Sequence, residues 1–295
     1  MKHRIRKSFG LPALLVIAGI ICLMSFIGTL AQSEDATENE ITPRSDVGAS
    51  SRSKPTPSFS WTGFYVGGQV GLNIARSTAT TSTSFSTMGY LTAIGVTAVN
   101  AAGGQRLRSD GLIVGGIVGY NHQSGRSLIG VEADLGTQRL SAAGTVSGVY
   151  PDYSPYGFTI TQTVHSNWLL TVRARAGLAL KRALIYGTGG MAATRIKYTE
   201  RFTDNATGII TTHPTTETGA FDQTKIGWTA GGGMELRVSG RWSVKAEYLL
   251  TAFGRASATS NNLIDAGLNA YPSQVFTHSA DLTSHNLRFG VNYHF

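Results

Sequence analysis

Few residues in this chain have the types and spacing that enzymatic chemistry requires. Gly187 to Ala192 follows the G-x-G-x-x-A pattern of dinucleotide-binding loops, which must open a helix that receives the pyrophosphate. The next residues, 193–198, alternate like a β-strand and carry no helical stripe. His122 and Ser124 form a His-x-Ser pair in a predicted short turn, and the histidines lack the H-x-x-x-H spacing of a metal site. The sequence predicts no catalytic residue, no metal ligand and no enzymatic activity.

Tyrosines and histidines in predicted surface loops offer a second kind of chemistry, because both residue types can ligate haem iron. The hypothesis of a haem-binding surface receptor involves Tyr150, Tyr153, Tyr156, His165, His213 and His278. The alternative, which the sequence favours, is that these residues belong to exposed antigenic loops whose aromatic side chains cap the rim of a barrel. On that interpretation the protein needs no cofactor.

Charged residues at alternate positions of several predicted strands form a third candidate site. Four acids and seven bases are predicted to point inward: Glu132, Asp134, Glu235, Glu247, Arg173, Arg175, Arg195, Lys197, Arg237, Lys245 and Arg288. Isolated charges in a narrow interior would be poorly solvated, so the favoured prediction is a packed network of ion pairs. Because bases outnumber acids, a narrow ion-conducting pore is the alternative prediction.

Composition and chain organisation limit the class of protein. The 295 residues include 36 glycines and only 14% charged residues, which favours an all-β protein over a helical bundle. Residues 1–31 combine a basic start, an apolar run and small residues at the end, which predicts a signal peptide; a retained anchor helix is the alternative. Residues 32–60 are rich in Ser, Thr, Glu and Pro, which predicts a flexible periplasmic linker before a single domain over 61–295.

The basic net charge does not indicate a nucleic-acid partner. Four of the 25 Lys and Arg residues lie in the predicted signal peptide, which leaves 21 against 17 Asp and Glu in the mature chain. After Lys7 no run of basic residues is interleaved with aromatic ones, so the sequence predicts no nucleic-acid binding. Cys22, the sole cysteine, also lies in the predicted signal peptide, so the mature chain would have no disulfide and no thiol chemistry.

Eight segments predict β-strands longer than the roughly 9–11 residues with which a tilted strand crosses a bilayer. They are 62–75, 110–122, 127–140, 166–180, 183–198, 224–238, 241–254 and 282–295. Their connections alternate between long ones at 76–109, 141–165, 199–223 and 255–281 and short ones at 123–126, 181–182 and 239–240. This alternation is typical of an up-and-down outer-membrane barrel. The sequence therefore predicts an all-β, eight-stranded antiparallel transmembrane β-barrel, with extracellular long loops and periplasmic termini.

Aromatic residues near the ends of these strands support a membrane location. The predicted aromatic girdle contains Trp61, Phe64, Trp168, Trp228, Trp242, Tyr293 and Phe295. Because some of these strands run outward and others inward, the aromatic residues are expected at both membrane interfaces. In the last strand, Phe289 and Val291 alternate with Arg288 and Asn292, as a wall with one apolar face requires.

Four segments carry a resemblance to a known family: WTGFYVGGQVG (61–71), WLLTVRARAGL (168–178), GWTAGGGMELRVSGRWSVKAEYLL (227–250) and HNLRFGVNYHF (285–295). They resemble strands of the small outer-membrane β-barrel proteins of alphaproteobacteria, a surface-antigen and porin-like group. The resemblance fades in the long loops. It implies an outer-membrane location, recognition of the terminal Phe295 by the outer-membrane assembly machinery, and adhesion, envelope-integrity or haemin-binding roles for the loops.

The sequence therefore predicts a non-enzymatic protein with a structural, envelope-integrity and surface-interaction role. Its expected partners are outer-membrane lipid and lipopolysaccharide, the assembly machinery, and host or surface ligands at the extracellular loops. A narrow porin-like channel and a surface haem-binding or adhesion protein are the alternatives.

Overall fold

The computed structural model describes residues 60–206 and 214–295. The predicted signal peptide and residues 32–59 of the predicted linker lie outside the described residues, so both stay predictions. The described chain forms β1 (Gly63–Thr83), α1 (Ala93–Ala102), β2 (Gly104–Ser124), β3 (Ser127–Val149), β4 (Gly157–Ala179), β5 (Ala183–Asp204), β6 (Thr215–Ser239), β7 (Trp242–Ser260), β8 (Ile264–Asp265) and β9 (Phe276–His294).

Eight long strands close into an antiparallel ring. Strands β1 to β7 pair in sequence order, and β9 joins β7 to β1. Closure places Val70 opposite Phe289 and Leu72 opposite Leu287, so each of the eight strands has a partner on both sides. The two-residue strand β8 adds to the end of β6. The predicted eight-stranded up-and-down barrel is confirmed, with β8 as an addition.

The strands are longer than the sequence predicts, and the long connections are correspondingly shorter. The loop expected at 141–165 shrinks to 150–156, because 140–149 pairs residue by residue with 157–166. The loop expected at 76–109 shrinks to 84–103 and contains α1. These extensions are rich in Ser and Thr and have no apolar outer face, yet their backbone groups make ladder hydrogen bonds like any other strand. Hydropathy therefore marked only part of each strand.

Helix α1 was not predicted from the sequence, because its residues fall in the long connection predicted at 76–109. Thr92 caps its N-terminus, since the hydroxyl oxygen accepts a hydrogen bond from the Gly95 N–H at 2.9 Å. The helix turns Val96 and Val99 toward the barrel and buries them. Within the part of the chain that the structure describes, no helix is long and apolar enough to cross a membrane.

Each strand has two parts with opposite facing patterns. The part beside the short turns, here called the turn half, has an apolar outer surface and a polar interior; Val66, Val114 and Val172 are exposed on it. The part beside the long connections, the loop half, has a polar outer surface and an interior that combines an apolar cluster with buried polar residues such as Gln162 and Glu200. The turn half comprises 63–74, 111–124, 127–138, 167–179, 183–193, 226–239, 242–253 and 284–294, and the loop half comprises 75–83, 104–110, 139–149, 157–166, 194–204, 215–225, 254–260 and 276–283.

Irregular pairing near the boundary of the two halves changes which residues face inward. In β4 the pairing with β5 shifts between His165 and Leu169, so even-numbered residues face inward in the loop half and odd-numbered ones in the turn half. In β7 the pairing with β9 shifts between Phe253 and Ala256, with the same kind of exchange. Because a bulge inserts residues into one strand, the period of two cannot be extended across it.

Candidate functional site

The turn half encloses a network of buried ion pairs centred on Arg173 of β4. Arg173 Nη2 contacts Glu132 of β3 and lies 2.9 Å from Oδ2 of Asp134, and Nη1 lies 2.9 Å from Oε1 of Glu247 on β7. The four side chains are almost completely buried. Because β3 and β7 stand opposite each other in the ring, Arg173 connects two walls across the interior.

Arg175 forms the second centre, with aromatic partners. Its Nη2 lies 3.0 Å from Glu235 Oε2, and its Nη1 donates to the Tyr65 hydroxyl at 2.8 Å. The guanidinium carbon lies 4.0 Å from the centre of the Tyr186 ring, within the range of a cation–π contact. Neither tyrosine was predicted from the sequence. Tyr65 shares the inward face of β1 with Gln69 and Asn73, and that polar period of two was the available signal.

The remaining members make the network electrically balanced. Lys245 Nζ lies 2.8 Å from Glu132, and Arg288 Nη1 lies 2.8 Å from Asp134. His294, also missed, lies with Nε2 3.1 Å from Glu235. Of the eleven predicted inward charges, the structure brings together Glu132, Asp134, Glu235, Glu247, Arg173, Arg175, Lys245 and Arg288. Four acids therefore face four bases, and the excess of positive charge that favoured a pore is gone.

Three predicted members do not belong to this network. Arg195 and Lys197 lie on the outer wall of the loop half, where both contact Asp222. Arg237 is half-buried beside the turn between β6 and β7, and its Nε donates to the Gly240 carbonyl at 2.7 Å. The prediction assumed that charged strand positions point inward, which holds only where lipid surrounds the wall. Arg195 and Lys197 lie beyond the apolar outer surface, so their charges face water.

The predicted girdle residues take several environments. Phe64, Trp228, Trp242 and Phe295 are exposed on the outer wall, and Trp168 and Tyr293 are half-buried. The rings of Trp242 and Tyr293 lie 5.1 Å apart, and those of Tyr293 and Phe295 lie 5.3 Å apart. The prediction that Trp61 belongs to the girdle was wrong. Its side chain is 1% exposed and packs inside the barrel with Leu128, Ala179, Leu184 and Tyr186, near the short turns.

Among the described residues, the haem candidates do not form one set of ligands. Tyr150 is buried and its hydroxyl donates to Asp204 at 3.2 Å, and burial followed by the Asp204 charge raises the pKa of Tyr150 far above its usual value. Tyr153 and Tyr156 are half-buried beside it. His165 lies on the outer wall, His278 lies inside the barrel between Glu200 and Glu217, and His213 lies outside the described residues.

Instead, the tyrosines help to build an apolar lid over the loop half. The lid contains Tyr90, Leu91, Val96, Val99, Tyr150, Phe158, Ile160, Phe202, Ala206, Leu263 and Phe276. Asp204 fixes it by accepting hydrogen bonds from the hydroxyls of Tyr90, at 2.8 Å, and Tyr150. No sequence signal identified Asp204, because its partners Tyr90, Tyr150 and Thr215 lie in three separate parts of the chain.

A closed ring of eight strands, with an apolar outer band around a charged interior, defines an outer-membrane β-barrel protein. The family described as "Outer membrane protein beta-barrel domain" matches residues 47–295, and the chain belongs to this family. The predicted family resemblance and the outer-membrane location are therefore confirmed.

Several known proteins are similar to the chain. The chain is 32% identical over 244 residues to a 31 kDa outer-membrane immunogenic protein of Brucella melitensis, covering 82% of this chain and 86% of that protein. It is 27% identical over 197 residues to a 22 kDa outer membrane protein of Rhizobium leguminosarum, covering 67% and 66%. Among solved structures it is similar to Neisserial surface protein A, with a TM-score of 0.29, 13% identity and coverage of 79% and 98%. It is also similar to the outer membrane protease OmpT of Escherichia coli, with a TM-score of 0.37, 9% identity and coverage of 82% and 99%.

Proposed function

We propose that this protein is a closed, non-enzymatic barrel that serves the outer membrane as a structural and surface-interaction protein. The observation that carries the proposal is the neutral network of buried ion pairs that crosses the turn half. An eight-stranded barrel has an interior just wide enough for side chains to fill. Arg173 and Arg288 each reach an acid on another wall, so the interior is occupied by paired side chains. The apolar lid adds a second closure above it.

Single-channel conductance in a planar lipid bilayer tests this closure. The refolded wild-type barrel is expected to give no stable, porin-sized conductance. A variant with Arg173, Arg175, Glu235 and Glu247 replaced by Ala is expected to conduct or to lose stability, because it removes the side chains that fill the interior. Large and steady channels in the wild type would contradict the proposal and favour the narrow porin-like channel.

The proposed orientation places the long connections outside the cell and both chain termini in the periplasm. It is supported by basic residues on the outer wall, just beyond the apolar band: Arg76, Arg108, Arg139 and Arg195. Arg76 and Arg108 stand directly opposite each other on β1 and β2. Two like charges in such a pair are unfavourable. The carboxylate of Asp110, whose Oδ1 lies 3.3 Å from Arg108 Nε, balances one of them and leaves one positive charge for a further anion. Lipopolysaccharide phosphates at the outer leaflet fit these positions, and the connections beyond them are available to surface ligands.

Proteolysis of intact cells tests the orientation. External protease is expected to cut within 84–103, 150–156, 205–214 or 261–275 and to spare the turns at 125–126, 180–182 and 240–241. The same digestion of permeabilised cells is the control for access to the turns. Cutting at the short turns in intact cells would mean that the orientation is inverted.

We also propose that the terminal Phe295 is read by the outer-membrane assembly machinery. Phe295 is exposed on the outer wall, and its N–H donates to the Phe64 carbonyl at 3.0 Å where the ring closes. One interfacial phenylalanine contributes only about 1–3 kcal/mol of apolar burial, which is too little to unfold a closed barrel. Deleting Phe295 is therefore expected to lower the amount of inserted protein in cells, whereas the purified variant still refolds in detergent.

Phe64→Ala is the matched control, because Phe64 is equally exposed at the same end of the barrel. It is expected to insert at nearly the wild-type level. Equal outer-membrane amounts of the Phe295 deletion and the wild type would refute the role in assembly.

A further inference from the structure

One buried cluster in the loop half remains without a role. Among the described residues, Glu200 of β5, Glu217 of β6 and His278 of β9 bring one histidine nitrogen and one oxygen of each carboxyl group within 4.8 Å of one another. His278 Nδ1 lies 3.7 Å from Glu200 Oε2, and Nε2 lies 3.4 Å from Glu217 Oε1. Two acids and an imidazole therefore converge from three strands inside the loop half, beside the buried polar side chains of Thr81 and Gln162.

The carboxyl groups of this cluster lack the hydrogen bonds that their burial demands. Glu200 is 3% exposed and Glu217 is 0% exposed, yet both oxygens of Glu200 and Oε2 of Glu217 have no hydrogen-bond partner. A buried carboxylate is costly unless it is paired or binds a metal ion. The cluster therefore presents buried carboxylate oxygens that a bound cation would pair.

The surroundings hold the imidazole in place and leave room for it. A Cβ atom on Gly219 would lie 2.3 Å from His278 Nε2, so the ring occupies space that only glycine leaves free. Ser260 Oγ lies 2.7 Å from Nε2, and Thr81 Oγ1 lies 3.3 Å from Nδ1. Phe276 of the lid stacks on the imidazole with ring centres 6.4 Å apart. A metal ion would take one of these two nitrogens in place of its hydroxyl partner, and the hydroxyl on the other nitrogen would then orient the ring.

We propose that Glu200, Glu217 and His278 bind one divalent transition-metal ion of the zinc type, which links β5, β6 and β9 beneath the lid. Tetrahedral zinc with bonds of about 2.0–2.1 Å places its ligand atoms about 3.4 Å apart, so the three ligand atoms, which lie within 4.8 Å of one another, need side-chain shifts of about 1 Å to bind one ion. One nitrogen and two carboxylate oxygens are ligands that zinc accepts, whereas calcium takes six to eight oxygens. This site goes beyond the proposed closed barrel, which depends on the network of the turn half.

Metal retention by the refolded barrel tests the proposal. The full mature chain is refolded in detergent with Zn²⁺ or with Co²⁺, passed over a desalting column, and analysed for metal content and for the visible absorption of tetrahedral Co²⁺. The wild type is expected to retain about one ion per barrel. His278→Ala and the isosteric Glu217→Gln are each expected to lower retention about tenfold or more, because each removes one of three ligands.

His165→Ala is the matched control, since His165 is exposed on the outer wall and is expected to leave retention unchanged. Resistance of each folded variant to heating in SDS identifies variants that fail to fold, and Glu217→Gln preserves the side-chain volume if His278→Ala fails. Absence of retained metal in the wild type would overturn the proposal. Equal retention in the wild type and in a folded ligand variant would overturn it as well.

Discussion

The turn half and the loop half are built from the same eight long strands, yet only the turn half buries a network of basic and acidic side chains, whereas the loop half buries an apolar cluster beside Glu200, Glu217 and His278. In the turn half the interior holds Arg173, Glu132 and their partners, and the outer wall exposes residues such as Val172. In the loop half the interior holds residues such as Leu107 and Ile196, and the outer wall carries Arg195. The surrounding medium explains the difference, because lipid solvates an apolar wall and water solvates a polar one. A single barrel can therefore combine two patterns of burial, one in the half surrounded by lipid and one in the half surrounded by water.

The largest effect is expected for loss of a buried base in the turn half. Arg173→Ala leaves Glu132, Asp134 and Glu247 short of a partner, which is expected to cost about 3–5 kcal/mol of unfolding free energy. Urea titration of the refolded barrel in lipid vesicles, followed by tryptophan fluorescence, measures this loss. Arg195→Ala, an exposed arginine on the loop half, is the control and is expected to change little. Similar losses for both variants would remove the distinction between the two halves.

The second largest difference in stability between the two halves is expected when a charge is introduced on the outer wall. Val172→Arg places a charge on the apolar outer surface of the turn half and is expected to cost about 2–4 kcal/mol. Thr259→Arg places the same charge on the exposed outer wall of the loop half and is expected to stay within about 0.5 kcal/mol of the wild type. The same titration compares the two. If Thr259→Arg were the more costly change, the apolar band would have been assigned to the wrong half.

Smaller effects are expected where glycine makes room for the network. A Cβ atom on Gly119 would lie 2.3 Å from the Tyr65 ring, so Gly119→Ala has to displace a member of the network. Overpacking of this kind typically costs about 1–3 kcal/mol. Gly116→Ala, three residues earlier on the outer face of β2, meets its nearest atom at 3.9 Å and is expected to be neutral. Denaturant midpoints that do not differ between the two alanine variants would argue against the tight contact at Tyr65.

The smallest effect concerns the pH dependence of the outer wall. The hydrogen bond from Arg195 lowers the pKa of Asp222 below its ordinary value of 3.8. Because the folded-state pKa is lowered, the contact stabilises the barrel above pH 3.8, and this stabilisation is lost as the pH falls through the folded-state pKa. Asp222→Asn is expected to be slightly less stable than the wild type at pH 7 and equal to it in strong acid. A difference in thermal midpoint that persists at low pH would have another cause.

The sequence by itself determined the architecture, because a barrel wall leaves strong local signals. Periodic apolar residues such as Phe289 and Val291, together with alternating connection lengths, predicted eight strands, their order and their closure. The inward positions of Arg173, Arg175 and Glu235 also followed, since they sit on regularly alternating segments surrounded by lipid-facing residues.

Only the tertiary structure decided which charges meet and where the pattern reverses. Arg195 and Lys197 follow the same period of two as their neighbours. No feature of the local sequence shows that this part of the barrel wall faces water. The irregular pairing at His165 and Phe253 changes which residues of the strand face the interior. Helix α1 lies in a segment that the sequence predicts as a loop. Glu200, Glu217 and His278 lie far apart in sequence and meet because ring closure brings β5, β6 and β9 together. Contacts across a closed barrel depend on the register of the strands and on the surrounding medium. Neither can be predicted from the sequence of a single strand.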